Sequence, residues 1–233
     1  MALAAALGFT VLGAAPAAMA ARATLEGIDV SHHNGQPAWD QVKADGIRFV
    51  IAKASEGRDW RDPEYASNKL QVEALGLPFT AYHFARPDAT VGDAVAEADN
   101  FVDAATLTGR NLVPVLDLED NGGLGKRKLV TWTRDWLNEV QARLGVKATI
   151  YTSPAFWAGS MGNTPWFASN GYRLWIAHWN VAAPSVPTAN WAGNSWTLWQ
   201  YTNSGSVAGI SGNVDRDRYA GTSLGPLRIK NNR

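Results

Sequence analysis

Two carboxylates stand one residue apart, Asp117 and Glu119, after the apolar run 112–116. Ionisable groups at such a place are costly unless they have a partner or a purpose. On a strand, residues i and i+2 point to the same face about 6 to 7 Å apart, so both carboxylates could reach one bound molecule. Glycoside hydrolysis requires such a pair: one group protonates the leaving oxygen and the other supports an oxocarbenium-like transition state.

The alternative is that Asp117 and Glu119 cap a helix or pair with Lys or Arg. Two further aspartates favour the catalytic interpretation, because Asp29 and Asp215 lie on the first and last predicted strands. Those strands are neighbours in a closed barrel, so four carboxylates could converge on one site. Burial and the proximity of like charges would raise one pKa and create the acid.

Other reaction chemistries find less support. The four histidines His32, His33, His83 and His178 could suggest a metal site, but His32 and His33 are adjacent and face opposite ways on a strand, and no H-x-x-x-H pair exists. A Ser-His-Asp hydrolase finds weak support, and the chain has no cysteine that could serve as a nucleophile. The glycine-rich segment 121–125 lacks the Lys-Ser/Thr ending of a phosphate loop. We expect neither a metal nor a cofactor.

Composition places the chain among folded globular proteins. Its 233 residues suffice for one domain, with 46% apolar and 18% charged residues. Lys and Arg total 21, as do Asp and Glu, so the formal net charge is zero and a nucleic acid is not an expected partner. Eleven tryptophans suit either a core or a sugar-binding cleft.

The elements that must position the carboxylates form an alternating pattern. Apolar runs predict eight strands, at 27–32, 49–54, 79–84, 112–119, 148–152, 173–179, 195–201 and 213–219. Helical patterns fill the first four gaps, whereas loops rich in Gly, Pro, Asn and Ser join the last three strands. The pattern predicts a single-domain α/β barrel whose final third lacks helices, with active sites at the C-terminal ends of the strands. Pro114 argues against a regular sheet in the fourth strand.

The two ends of the chain are predicted to lie outside this barrel. Residues 1–20 carry no charged side chain, are rich in Ala and Leu, and end in Ala18-Met19-Ala20, which is typical of a secretory signal peptide. An Ala-rich helix packed on the domain, or a membrane anchor, is the alternative. We therefore predict a secreted or periplasmic protein with a domain from 21 to 233, a core of about 26–220, and a short polar extension after Tyr219.

Aromatic side chains recur on the predicted strands. In one interpretation they fill the barrel, and in the other they form a platform that stacks on sugar rings. The candidates are Tyr82, Tyr151, Trp175, Trp179, Trp199 and Tyr201.

Eight short motifs, in order, resemble those of the glycoside hydrolase family 25 lysozymes, or Chalaropsis-type muramidases. They span most of the chain after the leader: GIDVS (27–31), KASEG (53–57), AYHF (81–84), LDLE (116–119), IYT (150–152), LWIA (174–177), WQYT (199–202) and VD (214–215). The resemblance implies an irregular TIM-like (β/α)5(β)3 barrel. It also implies cleavage of the β-1,4 bond from N-acetylmuramic acid to N-acetylglucosamine in peptidoglycan. We expect a monomer that works without a cofactor.

The resemblance also assigns roles. Glu119 corresponds to the general acid, and Asp117 to the second carboxylate, acting as nucleophile or by assisting the substrate's N-acetyl group. Asp29 and Asp215 correspond to two further aspartates that orient the substrate and tune the pair. The expected substrate-binding residues are Glu56, Tyr82, Tyr151, Trp175, Trp199 and Gln200.

Two positions depart from the family pattern, and two alternatives remain open. Thr80 replaces a common glycine and Asp217 a frequent asparagine; we expect neither to touch the carboxylates.

A catalytically inactive glycan-binding protein on the same fold is one alternative, although the intact pair of Asp117 and Glu119 argues against it. A chitinase-like enzyme is the other, although the positions before Asp117 lack the expected D-x-x-D-x-D-x-E run.

Overall fold

Strands and helices alternate along the chain in the computed structural model, which describes residues 23–230. The predicted signal segment, residues 1–20, lies outside the described residues. The strands are β1 (Leu25–Val30), β2 (Phe49–Glu56), β3 (Trp60–Arg61), β4 (Phe79–Phe84), β5 (Val115–Asp117), β6 (Thr149–Thr152), β7 (Arg173–Ala177), β8 (Leu198–Gly205) and β9 (Val214–Tyr219). The helices are α1 (Trp39–Ala44), α2 (Tyr65–Ala74), α3 (Asp93–Ala105), α4 (Lys126–Leu144), α5 (Pro154–Gly159), α6 (Trp166–Ser169) and α7 (Pro187–Ala192).

Local sequence explains the form of the larger elements. β2 is buried from Phe49 to Ser55, as expected of a parallel strand covered on both faces. α4 buries Leu129, Trp132, Trp136 and Val140, a helical spacing that places all four on one face. The helix ends at Gly145, whose φ of 71° is accessible to glycine at little cost.

Eight strands close into a barrel. Their order is β1-β2-β4-β5-β6-β7-β8-β9, and β9 returns to pair with β1. Neighbours are parallel except for β9, which runs antiparallel to both β8 and β1. β3 lies outside the ring and pairs with β2 as a short antiparallel hairpin. The predicted closed barrel is confirmed, with the first and last strands adjacent.

Two apolar cores flank the strands. The larger one lies between the outer face of the barrel and the helices, with Trp136, Phe101 and Trp157 among its buried side chains. The smaller one fills the barrel and includes Phe49, Tyr151, Trp175, Leu198 and Tyr219. Its members come from alternate strand positions, since successive side chains point to opposite faces.

The predicted fourth strand, 112–119, is longer than the observed β5. Pro114 has no N–H to donate to a ladder, and the strand begins only at Val115. It ends at Asp117, so Glu119 lies in the loop after it rather than on the strand. The expectation of irregularity at Pro114 is thus confirmed.

The expectation that the last three strands are joined without regular helices is met. The short segment α7 lies between β7 and β8, but its residues 188–192 have φ between 50° and 57°, a left-handed turn and not a right-handed α-helix. Between β8 and β9 the chain has neither helix nor 3-10 turn.

The expectation of a polar extension after Tyr219 is wrong. Leu224, Leu227 and Ile229 are buried in the inner core. The backbone N–H of Val113 donates to the carbonyl of Leu227 at 2.7 Å, and that of Ile229 donates to the carbonyl of Asn111 at 3.0 Å. The segment closes the end of the barrel where the strands begin. Within residues 23–230, no helix is long and apolar enough to cross a bilayer.

Candidate active site

An open cleft of about 490 Å³ lies at the end of the barrel where the parallel strands finish. This is the end at which barrels of this type carry their catalytic groups. Sixteen side chains line the cleft: Asp29, Ser31, His33, Lys53, Glu56, Tyr82, Phe84, Arg86, Asp117, Glu119, Tyr151, Trp175, Trp179, Gln200, Asn203 and Asp215.

Four carboxylates converge there from three strands. Asp117 ends β5 and is buried, whereas Glu119 lies two residues further on and is exposed at the mouth. Asp29 on β1 pairs directly with Asp215 on β9. Because β9 runs antiparallel, its beginning meets the end of β1; in a parallel strand, Asp215 would lie at the opposite end of the barrel.

The electrostatics favour protonation within this group. Burial and then Glu119 raise the pKa of Asp117 well above its ordinary value. Desolvation by the cleft and then Asp215 raise the pKa of Glu119. Burial raises the pKa of Asp215 to about 6. The cluster can therefore hold protons at pH values where exposed carboxyls have lost theirs.

A hydrogen-bond network orients Asp29. Tyr151 Oη and Trp179 Nε1 both donate to Gln200 Oε1 at 2.9 Å. Gln200 Nε2 in turn donates to Asp29 Oδ2 at 2.7 Å. The indole can only donate, which fixes the amide orientation of Gln200 and directs its N–H toward Asp29.

Cations form the opposite wall. Lys53 Nζ lies 2.5 Å from Glu56 Oε2, and Arg86 Nε donates to Glu56 Oε1 at 2.7 Å. Burial opposes ionisation of Glu56, but the hydrogen bonds from Lys53 and Arg86 outweigh it and lower the pKa of this carboxyl. Arg86 also bonds Asp120 at 2.8 Å. The positive charges of Lys53 and Arg86 favour ionisation of Asp117 and Glu119, against the effect of burial.

Most of the residues predicted for the site lie in the cleft. All four proposed catalytic carboxylates line it, as do Glu56, Tyr82, Tyr151, Trp175 and Gln200. Trp199 does not. Next to the inward-facing Gln200, it points out of the barrel, where Nε1 donates to the carbonyl of His178 at 2.9 Å and Arg218 covers the ring.

Sequence reasoning missed several cleft residues. Lys53 lies in the same motif as Glu56, so the KASEG match could have identified it. Arg86 follows the AYHF motif by two residues and carried no separate signal.

Asp217 was expected not to touch the carboxylates, but its side chain lies within hydrogen-bonding reach of Asp29 and raises the pKa of that group. Thr80, as expected, bonds elsewhere, to the carbonyls of Leu112 and Val113.

A Ser-His-Glu chain does exist, but not in the cleft. Ser55 Oγ lies 2.8 Å from His83 Nδ1, and His83 Nε2 lies 2.8 Å from Glu97 Oε2. All three side chains are fully buried, so no substrate can reach Ser55. In residues 23–230, no three or more His, Asp or Glu side chains are grouped so as to hold a metal ion.

Known proteins match the chain over most of its length. The profile described as Glycosyl hydrolases family 25 matches residues 28–210. The chain belongs to glycosyl hydrolase family 25. Lysozyme M1 of Streptomyces globisporus is 36% identical over 217 residues, covering 89% of this chain and 72% of that protein. N,O-diacetylmuramidase of a Chalaropsis species is 31% identical, covering 82% of this chain and 96% of that protein.

Solved structures agree with this membership. The crystal structure of a bacterial lysozyme from Streptomyces coelicolor has a TM-score of 0.82 and 35% identity, covering 90% of this chain and 98% of that chain. The family that the eight motifs predicted is thus confirmed, and the protein is a glycoside hydrolase.

Proposed function

We propose that this family 25 enzyme is a muramidase that cleaves the β-1,4 bond between N-acetylmuramic acid and N-acetylglucosamine in peptidoglycan. The observation that carries the proposal is the pairing of a buried carboxyl, Asp117, with an exposed one, Glu119, both with raised pKa, in one open cleft. Similar proteins named as lysozyme and muramidase support this choice of substrate.

Glu119 acts as the general acid. Its raised pKa keeps it protonated at pH values where an ordinary glutamate has lost its proton, and its exposed position lets it reach the glycosidic oxygen. As the proton moves to that oxygen, the bond from oxygen to the anomeric carbon breaks. While Glu119 holds the proton, its charge no longer raises the pKa of Asp117, and Lys53 and Arg86 favour the ionised form. Ionised Asp117 opposes the positive charge that develops on the sugar, either directly or through the substrate's N-acetyl group. Glu119, now ionised, then removes a proton from the attacking water.

Aromatic and polar groups around the carboxylates bind the glycan. Trp179 is 41% exposed and offers a ring face on which a sugar can stack. Tyr82 and Tyr151 lie deeper in the cleft, and Glu56 and Gln200 supply hydrogen-bonding atoms. Trp175 contributes to the floor and packs edge-on against Tyr151.

The protein acts outside the cytoplasm as a monomer. Residues 1–20 direct export and are removed after Ala20, and the domain from 21 to 233 works on the cell wall. N-terminal sequencing of protein recovered from the medium or periplasm should begin at Ala21, and light scattering should give the mass of one chain. A retained leader or a dimer would contradict this part of the proposal.

Mass spectrometry of digested peptidoglycan tests the reaction itself. Purified wall incubated with the mature protein should release fragments that carry N-acetylmuramic acid at the reducing end. Fragments with N-acetylglucosamine at the reducing end would contradict the assigned bond. Binding to insoluble wall without any soluble product would favour the inactive glycan-binding alternative. Addition of EDTA should leave the product pattern unchanged.

A further inference from the structure

Asp217 is a fully buried carboxyl beneath the cleft with one bonded and one unbonded oxygen. Trp175 Nε1 donates to its Oδ1 at 2.9 Å. Its Oδ2 is buried and, among the described residues, accepts no hydrogen bond from an N–H or hydroxyl donor. A buried polar atom left without a partner is costly, so Oδ2 requires an explanation.

The groups around Asp217 are acidic. Asp29 faces it from β1 and Asp215 lies two residues away on the same face of β9; Glu26 adds weaker negative charge. The neighbouring basic residues of β9, Arg216 and Arg218, point to the opposite face and pair there with Glu26. From β7 and β8 come the neutral side chains Trp175 and Gln200.

Among residues 23–230, no cation faces the three clustered aspartates, so they cannot all be ionised, as in other sites where carboxylates share a proton. Burial, followed by the charge of Asp215, raises the pKa of Asp217 well above its ordinary value, and burial, followed by the charge of Asp217, does the same to Asp29. The carboxyl group of Asp29 lies within hydrogen-bonding reach of Asp217 below it and of Asp215 in the cleft. One proton shared between Asp29 and Asp217 gives both carboxyl groups a hydrogen bond.

The donors around the pair and the burial of each carboxyl determine where that proton sits. An indole N–H can only donate, so Trp175 makes Oδ1 of Asp217 an acceptor and leaves Oδ2 to share the proton with Asp29. On the other side, Gln200 directs an N–H to Oδ2 of Asp29, since Tyr151 and Trp179 occupy its oxygen. Each carboxyl therefore accepts an N–H at one oxygen and shares the proton at its other oxygen. The proton belongs to Asp217, because this side chain is fully buried whereas Asp29 lines the cleft.

We propose that Asp217 is a positioning residue, a protonated carboxyl whose Oδ2–H donates to Asp29 and holds Asp29 ionised and aimed into the cleft. Asp217 does not line the cleft and touches no substrate. The effect of Asp217 on turnover acts through Asp29 and rests on the proposed function. The protonation of Asp217 does not depend on that function.

Two substitutions test whether Asp217 acts as a hydrogen-bond donor to Asp29 or as a negative charge. Asp217→Asn keeps an acceptor for Trp175 and an N–H donor for Asp29, so kcat should remain within about three-fold of wild type. Asp217→Val has a similar shape but no donor, and the misplacement of Asp29 should cost about 10²-fold in kcat. Equal losses in the two variants, or no loss in either, would overturn the positioning role.

Stability as a function of pH tests the proton without any substrate. An unfolded aspartate releases its proton near pH 3.9, whereas folded Asp217 keeps it to higher pH. Folded wild type therefore binds more protons than the unfolded chain, and its stability falls as pH rises from about 4 toward the raised pKa. Asp217→Asn has no such proton, so its melting temperature relative to wild type should rise over that range.

The exposed Asp135→Asn is the matched control, and its difference from wild type should not change in this way. If the difference between Asp217→Asn and wild type is independent of pH, Asp217 is ionised in the fold and the inference fails. This outcome is distinct from a failure of the proposed function, because the measurement needs no peptidoglycan. It also decides the question if Asp217→Val does not fold.

Discussion

Access of water differs among the carboxylates of the cleft. Asp117 is buried at the end of β5, and its Oδ1 has no hydrogen-bond partner among the described residues. Glu119, two residues later, is exposed. A short strand followed by a loop thus places one carboxyl beneath the substrate and the other beside it. This division suits a stabilising group and an acid that must exchange protons with water.

The pH dependence of activity should report the charge of Asp215. That carboxylate raises the pKa of Glu119, so Asp215→Asn should lower the pKa of the acid. Glu119 would then lose its proton at lower pH, and the basic limb of the kcat/KM profile should move toward acid. Turnover of soluble peptidoglycan fragments across pH measures this.

Asp135→Asn, an exposed substitution far from this pair in sequence, should leave the profile where it is in wild type. A basic limb that stays in place in Asp215→Asn, or moves to higher pH, would show that the charge of Asp215 does not act on the acid.

Adjacent residues of β8 illustrate the limit of sequence reasoning at this scale. Gln200 and Trp199 stand in the same motif, and both were expected in the cleft. Strand alternation allows only one of them to face inward, and the motif alone does not say which. The contact of Asp217 with Asp29 was missed for a related reason. It depends on the register between β9 and β1, which pairs Asp217 with Gly27.

Among the elements, β2, β4 and α3 act together to support the cationic wall. Ser55 and His83 link β2 to β4, and Glu97 of α3 bonds both His83 and the backbone N–H of Arg86 at 3.0 Å. Burial lowers the pKa of His83 although Glu97 opposes this. Neutral His83 accepts from Ser55 at Nδ1 and donates from Nε2 to Glu97. The chain of bonds thus anchors the backbone from which Arg86 reaches Glu56.

Ser55→Ala should therefore affect stability and not chemistry. Loss of one buried hydrogen bond should lower the free energy of unfolding by about 1 kcal/mol, measured by urea denaturation. The kcat of the folded protein should equal that of wild type. If turnover disappears while stability is unchanged, Ser55 takes part in the reaction and the carboxylate mechanism is incomplete.

The direction of β9 is the element-level feature that the sequence did not predict. Asp215 begins this strand, and it meets Asp29 only because the strand runs antiparallel. The sequence predicted that the two strands are neighbours, from the count of eight strands, but not their relative direction. A connection between β8 and β9 without a helix is compatible with an antiparallel pair, which a short link can join.

At the scale of the whole molecule, the two ends of the barrel have different tasks. One end is open and carries the charged cleft. The other is closed by the segment after β9, which inserts Leu224, Leu227 and Ile229 beneath the inner core. Sequence periodicity could not reveal this closure, because three apolar residues spaced among Gly, Pro and Arg match neither a helix nor a strand.

Leu227→Ala tests the closure. Leu227 is 2% exposed, and removal of a buried leucine side chain should lower the free energy of unfolding by about 2–5 kcal/mol in urea denaturation. The kcat of the folded enzyme should be unchanged, because the cleft is at the other end. Leu70→Ala, at a residue 72% exposed, should change stability by no more than about 0.5 kcal/mol. Equal losses of stability in Leu227→Ala and Leu70→Ala would show that the segment after β9 does not close the barrel.

Digestion of purified peptidoglycan by wild type and by Glu119→Gln tests the assignment of the acid most directly. Glutamine cannot donate the proton, so the rate at which reducing ends appear should fall by about 10²–10⁴-fold. The variant should still fold and bind insoluble wall as wild type does, because the walls of the cleft are intact. Release of reducing ends at the wild-type rate would contradict the assignment of Glu119 as the acid, and with it the account of the carboxylate cluster.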